Sequence, residues 1–186
     1  MCLQLSMKNS LIKTSKLLSF LLRHNPQSIG LTLDHQGWAK IDELIICLNK
    51  NGKKLSRDII FQVVEKNDKQ RFMLSNDLLR IKANQGHSLT IDLDLDPSEP
   101  PQFLYHGTAT RFLDSIQVQG LLPSGRHHVH LSDTLKTAYN VGKRHGKPVV
   151  LIIEAEKMMR EEFVFYQSAN GVWLTSKVPP EYFSCS

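Results

Sequence analysis

Between Thr14 and Asn25 the apolar residues recur at helical spacing. Leu17, Leu18, Leu21 and Leu22 fall on one face of SKLLSFLLRH, and Thr14 or Ser15 stands where an N-cap belongs. A residue before proline avoids the α region, so this helix stops near Asn25 and leaves Arg23 and His24 in its last turn. Residues 1–13 lack such a pattern and read as a frayed lead-in. Ile29 to Trp38 is a loop or short strand. Asp42 then caps a helix over Leu44, Ile45, Ile46 and Leu48 that stops at Asn51-Gly52, and Ser56 caps another with Ile59, Ile60, Val63 and Val64 inward. Arg71–Leu74 and Leu78–Lys82 are strand-like runs around the turn residues Ser75, Asn76 and Asp77.

The second half reads differently. Phe103–Tyr105 predicts a short buried strand running into a polar turn, His106-Gly107-Thr108, where a glycine lets a ligand approach the backbone. Thr110 predicts the cap of a helix carrying Phe112, Leu113, Ile116 and Val118, with Gly120 as its stop. Val129 and Leu131 alternate with His128, His130 and Ser132, the period of a strand with one polar face. Thr134–Gly142 reads as a helix, and Pro148–Ala155, Phe163–Tyr166 and Gly171–Thr175 read as strands. Between the halves, Asp92, Asp94, Asp96, Pro97, Glu99, Pro100 and Pro101 form an acidic, proline-rich stretch that continues neither helix nor central strand. The expected organisation is therefore α+β: a first lobe over 1–91, a linker over 92–101 and a second lobe over 102–186. Three helices followed by a hairpin is the winged-helix order, often used on nucleic acids.

Composition narrows the classes. With 41% hydrophobic and 22% charged residues over 186 positions, the chain reads as globular, and charges interrupt every apolar run before it reaches a membrane-spanning length. The start MCLQLSMKNS lacks the basic and apolar regions of a secretory signal, which makes the cytoplasm the default location. Cys2, Cys47 and Cys185 are scattered without a CxxC, which speaks against disulfides and a thiolate zinc site. The net charge of +5 suits a polyanionic partner. The excess sits in the first half, where residues 1–96 hold 14 Lys and Arg against 10 Asp and Glu. P-loop, GxGxxG, GxSxG and HExxH motifs are absent from the sequence. No coiled-coil pattern argues for assembly, so a monomer is expected.

Several polar clusters have two readings each. Arg23 and His24 either complement a helix C-terminus or form an anion site. The run Asn84-Gln85-Gly86-His87-Ser88 either closes the hairpin as a polar loop or meets a sugar-phosphate or a base edge. His127, His128 and His130 could ligate a metal, but the sequence identifies neither a further ligand nor a supporting shell, and no metal is expected.

In order along the chain, SKLLSFLLRHNP, GLTLDHQGWAKIDEL, NDKQRF, ANQGHS, PPQFLYHGTATRFLDSIQVQGL, RHHVHLS and ANGVWLT resemble segments of the RNA 2'-phosphotransferase family, over about residues 14–183. The resemblance implies a winged-helix lobe followed by an ADP-ribosyltransferase-like lobe, which clasp RNA and NAD. It implies that the RNA 2'-phosphate displaces nicotinamide from NAD to give an RNA 2'-phospho-ADP-ribose intermediate. The ribose hydroxyl then takes the phosphate, yielding 2'-OH RNA and ADP-ribose 1'',2''-cyclic phosphate, chemistry associated with tRNA splicing. The family's catalytic set falls on Arg23, His24, Arg71 and Arg126. The dinucleotide positions fall on His106, Gly107 and Thr108, with His130, Ser132 and Val172 as further candidates, and Asn84, Gln85, Gly86 and His87 as RNA contacts. One departure stands out: Lys82 occupies a position where the family often has arginine, and lysine lacks the planar fork. Two other activities use the same features: ADP-ribosyl transfer to protein or to a nucleic-acid terminal phosphate, and an NAD-sensing winged-helix regulator.

Overall fold

The computed structural model describes residues 2–185, a mixed α/β chain with three small antiparallel sheets. It divides into two compact units, 1–94 and 95–186. In the first, α1 (Cys2–Arg23) is followed by a 3-10 turn over Pro26–Ile29, β1 (Ala39–Lys40), α2 (Ile41–Lys50), α3 (Arg57–Glu65), β2 (Phe72–Leu74) and β3 (Arg80–Ala83). The sheet order is β1-β3-β2, with Ala39 opposite Ile81 and Phe72 opposite Ala83. Leu18, Leu21 and Leu22 of α1 meet Ile41, Leu44 and Leu48 of α2, Ile60 and Val63 of α3, and Phe72 and Ile81 of the sheet. Each such side chain stabilises the fold by roughly 1.5–3 kcal/mol through removal from water.

Two helix starts of the first unit differ from the sequence expectation. α1 begins at Cys2, so most of the expected lead-in is helical, and Thr14 lies inside the helix with its hydroxyl donating to the Ser10 carbonyl. The buried stripe runs back through Ser15 to Leu11, and a serine at a core position conceals it from a hydrophobicity pattern. α2 begins one residue before Asp42, with Lys40 at the cap and no side-chain cap bond. Asp42 sits in the first turn, where a negative charge suits the helix dipole, and pairs with Arg57 at 2.6 Å. Ile46 faces solvent. Ser56 does cap α3, accepting from the Ile59 N–H at 3.4 Å.

The second unit contains β4 (Leu104–Ala109), a 3-10 turn (Thr110–Phe112), α4 (Leu113–Gln119), β5 (Val129–Leu131), α5 (Leu135–Gly142), β6 (Pro148–Ile153), α6 (Ala155–Arg160), β7 (Phe165–Gln167), β8 (Trp173–Thr175), a 3-10 turn (Pro180–Tyr182) and β9 (Phe183–Cys185). Its sheets are β4-β6-β9 and β5-β8-β7. A bridge joins them, Tyr105 and Ser132 exchanging N–H···O bonds of 2.9 and 2.7 Å. Leu104, Leu131, Leu151, Ile153, Met158 and Phe165 form the core.

His106-Gly107-Thr108 is strand rather than turn: Gly107 pairs with Val150 and Thr108 with Val149. A β-carbon on Gly107 would lie 1.7 Å from the Ala138 carbonyl oxygen, so the glycine's open side is filled by α5 of the same chain rather than left for a ligand. Thr110 opens the 3-10 turn, and α4 starts after Phe112 with no side-chain cap. Leu113 and Ile116 pack inward, but Val118 is 80% exposed. Gly120 ends α4 at φ +77°. α6 and β9 carry no pattern that distinguishes them in the sequence.

The acidic stretch is shared between the units. The Asp92 N–H donates to the His35 carbonyl, and Asp94 accepts from the Gln36 side chain at 3.1 Å. The Ser98 N–H donates to the Phe165 carbonyl at 2.8 Å. No described helix is long and apolar enough to cross a membrane.

Candidate functional site

In the first unit, three of the four expected catalytic residues converge. The leucine stripe fixes α1, and α1 ends at Arg23. The Arg23 guanidinium reaches the Arg71 carbonyl at 3.5 Å across 48 residues of sequence. Arg71 in turn donates to Asn67 Oδ1 at 3.1 Å, and buried Asn67 donates to Ser15 Oγ at 3.2 Å, which returns the chain of bonds to α1. His24 lies one residue beyond the helix. Its Nδ1 is 3.0 Å from Ser88 Oγ, and the Ser88 N–H donates to the Arg23 carbonyl at 3.0 Å.

The loop 84–88 makes this clamp. The Asn84 N–H donates to the Arg71 carbonyl at 2.9 Å, extending the β2–β3 ladder, and its side-chain amide donates to the Gln70 carbonyl at 2.6 Å. Asn84 and His87 are 7% and 3% exposed, and Gly86 is buried at φ +86°. Of the four expected RNA contacts only Gln85 is half-exposed. Asn84 and His87 face inward, and the loop holds Arg71 and His24 in place. The Asn84 Oδ1 atom is buried with no partner among the described residues, an acceptor that a donor on a bound molecule would satisfy. Ser88 and Asn67 are the positioning residues missed from the sequence, although they lie inside the motifs ANQGHS and NDKQRF.

In the second unit, β4 presents His106 and Thr108 on the face opposite α5, by strand alternation about Gly107. His106 Nδ1 lies 3.0 Å from the His130 carbonyl. A carbonyl only accepts, so Nδ1 carries the proton and Nε2 is left as an acceptor. Burial pushes the His106 pKa down, and the nearby His145 and Arg126 push the same way, while the His130 carbonyl opposes them. The imidazole is therefore neutral at pH 7. Thr108 is buried. His130 is half-exposed between buried Val129 and Leu131 and pairs with Leu174. Ser132 belongs to the bridge between the sheets, and Val172 contributes a carbonyl that accepts from both the N–H and hydroxyl of Ser168 at 2.9 Å.

Arg126 is exposed at a turn whose Ser124 and Gly125 adopt φ +38° and +75°, and its charge acts on His106. His128 stacks edge-on against Tyr166 with centroids 5.7 Å apart, and burial lowers its pKa. Among the described residues no three His, Cys, Asp or Glu side chains converge as a metal site.

One unit holds guanidiniums and a histidine, and the other holds a neutral histidine acceptor and an arginine. Comparison with known proteins gives this arrangement a family. Residues 9–177 match the family described as RNA 2'-phosphotransferase, Tpt1 / KptA family. A protein of Acaryochloris marina named "Probable RNA 2'-phosphotransferase" is 57% identical over 177 residues, covering 95% of this chain and 98% of its own. Proteins of the same name from Pseudomonas fluorescens and Rhodopirellula baltica are 57% and 53% identical, covering 89% and 94% of this chain and 92% and 95% of theirs. The chain belongs to the RNA 2'-phosphotransferase family.

Proposed function

We propose that the chain removes an internal 2'-phosphate from RNA and transfers it to NAD, by way of RNA 2'-phospho-ADP-ribose, giving 2'-OH RNA, ADP-ribose 1'',2''-cyclic phosphate and nicotinamide. The observation that carries this reading is the convergence of Arg23, His24 and Arg71 from distant stretches of sequence. A phosphate monoester is close to dianionic at neutral pH, and planar guanidiniums grip it by paired hydrogen bonds. They also stabilise the charge that grows when an oxygen attacks it. His24, oriented by Ser88 through Nδ1, is the group for proton transfer at the attacking ribose hydroxyl. Arg126 is the third guanidinium of the set.

The residues of the second unit suit a dinucleotide. A neutral His106 whose Nδ1 is committed to the His130 carbonyl presents Nε2 as an acceptor for a ribose hydroxyl, and Arg126 supplies positive charge for a pyrophosphate. NAD, when bound, supplies a ribose carbon bearing a good leaving group. Thr108, His130, Ser132 and Val172 stay with His106 as candidate dinucleotide contacts. The order of three helices and a β2–β3 hairpin supports a winged-helix reading of the first lobe, and the paired small sheets support an ADP-ribosyltransferase-like second lobe.

The test incubates the protein with NAD and an oligoribonucleotide carrying one internal 2'-phosphate. Nicotinamide and ADP-ribose cyclic phosphate should appear in step with 2'-OH RNA. Nicotinamide release at the same rate from an oligonucleotide lacking the 2'-phosphate would sink the proposal and favour ADP-ribosyl transfer to another acceptor.

A further inference from the structure

The outer face of the first unit's sheet has a composition that its core does not require. Along β3, Ile81 and Ala83 point into the core, so Arg80 and Lys82 point outward, and the ladder continues to Asn84 opposite Arg71. Lys40 of β1 pairs with Arg80, and Met73 of β2 pairs with Lys82, so both share that face. Two residues before Lys40 stands Trp38. The Arg80 guanidinium carbon lies 5.4 Å and the Lys82 ammonium 4.8 Å from its ring centroid. An indole with two cations over its ring therefore lies on the outer face of the sheet, and successive outward residues of a strand are spaced by about 7 Å.

Carboxylates rim the face: Asp34 lies 3.8 Å from Arg80, Glu43 lies 3.0 Å from Lys40, and Asp34 and Asp94 act on Lys82. The Asp34–Arg80 and Glu43–Lys40 pairs are solvent-exposed, and pairs of that kind are weak enough for a cation to exchange its carboxylate for a phosphate. Helix α3 offers a nucleic acid less positive charge than the sheet. Its exposed ionic residues include Asp58 and Glu65, and its one cation, Arg57, is held by Asp42 and the Leu78 carbonyl.

We infer that the outer face of this sheet holds single-stranded RNA flanking the 2'-phosphate, with Arg80 and Lys82 leaving the Trp38 ring for phosphates and the ring they uncover serving as a stacking shelf for a base. This rests on reading RNA as the substrate. An open sheet face with an aromatic ring and neighbouring cations is the arrangement by which single strands are bound, because each nucleotide offers one stackable base and one charge. A duplex hides its bases and gains nothing from the indole.

The test measures binding of the full chain to an unmodified single-stranded RNA decamer, without NAD and without a 2'-phosphate, by fluorescence anisotropy across a salt series. Trp38→Ala should weaken binding about 10-fold with its salt slope intact, as expected for loss of one stacked base, and Trp38→Phe should recover much of the affinity. The Arg80→Gln/Lys82→Gln double variant should flatten the log–log salt slope by about 1.4, two lost phosphate contacts on a single strand. The decamer annealed to its complement should bind more weakly than the single strand. Tighter duplex binding, an unchanged affinity in Trp38→Ala or an unchanged slope in the double variant overturns the inference. The decamer carries no phosphate to remove, so a failure of the proposed reaction leaves this result standing and is scored separately by nicotinamide release.

Discussion

The two units hold their candidate residues by opposite means. In the first, Arg23, His24 and Arg71 sit on a helix end and at strand starts, and side chains hold them: Asn67, Ser88 and Asn84 bridge elements far apart in sequence. In the second, backbone does the holding. His106 is oriented by the His130 carbonyl, and its strand is seated against α5 through Gly107 with no side chain between them. The first unit holds arginines, whose charge does not depend on their surroundings, through polar partners. The second keeps an imidazole neutral, and burial accomplishes that. A substitution among the residues that hold Arg23, His24 and Arg71 should therefore cost chemistry before stability, and one at the contact of β4 with α5 should cost stability first.

The largest effect expected is for Gly107→Val, whose β-carbon meets backbone rather than a yielding side chain. Overpacking commonly costs about 1–3 kcal/mol and more where nothing can move. The second unit should lose its cooperative transition, read from the fluorescence of Trp173 in a Trp38→Phe background. Native-like Trp173 emission in that variant would break the comparison.

Next comes Arg71→Ala, expected to slow phosphate removal by about 10²–10³-fold, the scale of losing one charge-stabilising donor. Its urea midpoint should stay near that of the parent, so that chemistry and stability separate. Asn67→Ala should follow it with a smaller loss of rate, because it removes the support and not the guanidinium.

Smaller still is the removal of a helix cap. Ser56→Ala should lower stability by about 1 kcal/mol, with the rate of phosphate removal at 25 °C unmoved. The gentlest test is pH. His106 and His128 are both pushed below the ordinary histidine value, so below about pH 6.5 the unfolded chain binds more protons than the folded one. Stability from these groups is complete above that pH and is lost as pH falls toward their folded values. Urea titrations followed by Trp173 should show that decline, and His106→Gln should lessen it. A second unit that gains stability on acidification would contradict the buried, neutral imidazole.

What could be read in advance follows the same division. Four leucines at helical spacing and a proline at 26 suffice to place Arg23 and His24 at a helix end, because amphipathic spacing and proline sterics are local. The start of α1 was concealed because Ser15 occupies a core position, and its reason for being there, Asn67, is 52 residues away. A polar loop such as 84–88 reads as exposed, whereas Asn84 and His87 are buried because strand ends and a helix end gather around them. His-Gly-Thr reads as a turn for a similar reason: glycine inside a strand makes sense only once α5 is known to press on it.

That contact between β4 and α5 also bears on how freely the chain can vary. The atoms that would meet a β-carbon at 107 are the carbonyl of residue 138 and the N–H of residue 142, and every amino acid but proline carries both. No second substitution on α5 can make room, so position 107 has no compensatory partner and its intolerance does not depend on sequence background. Gly30, Gly52, Gly125 and Gly171, unlike Gly107, adopt positive φ, but a β-carbon there meets nothing within 4 Å. In a saturation library those four should accept asparagine at modest cost, whereas position 107 should return only glycine however many neighbours are varied with it.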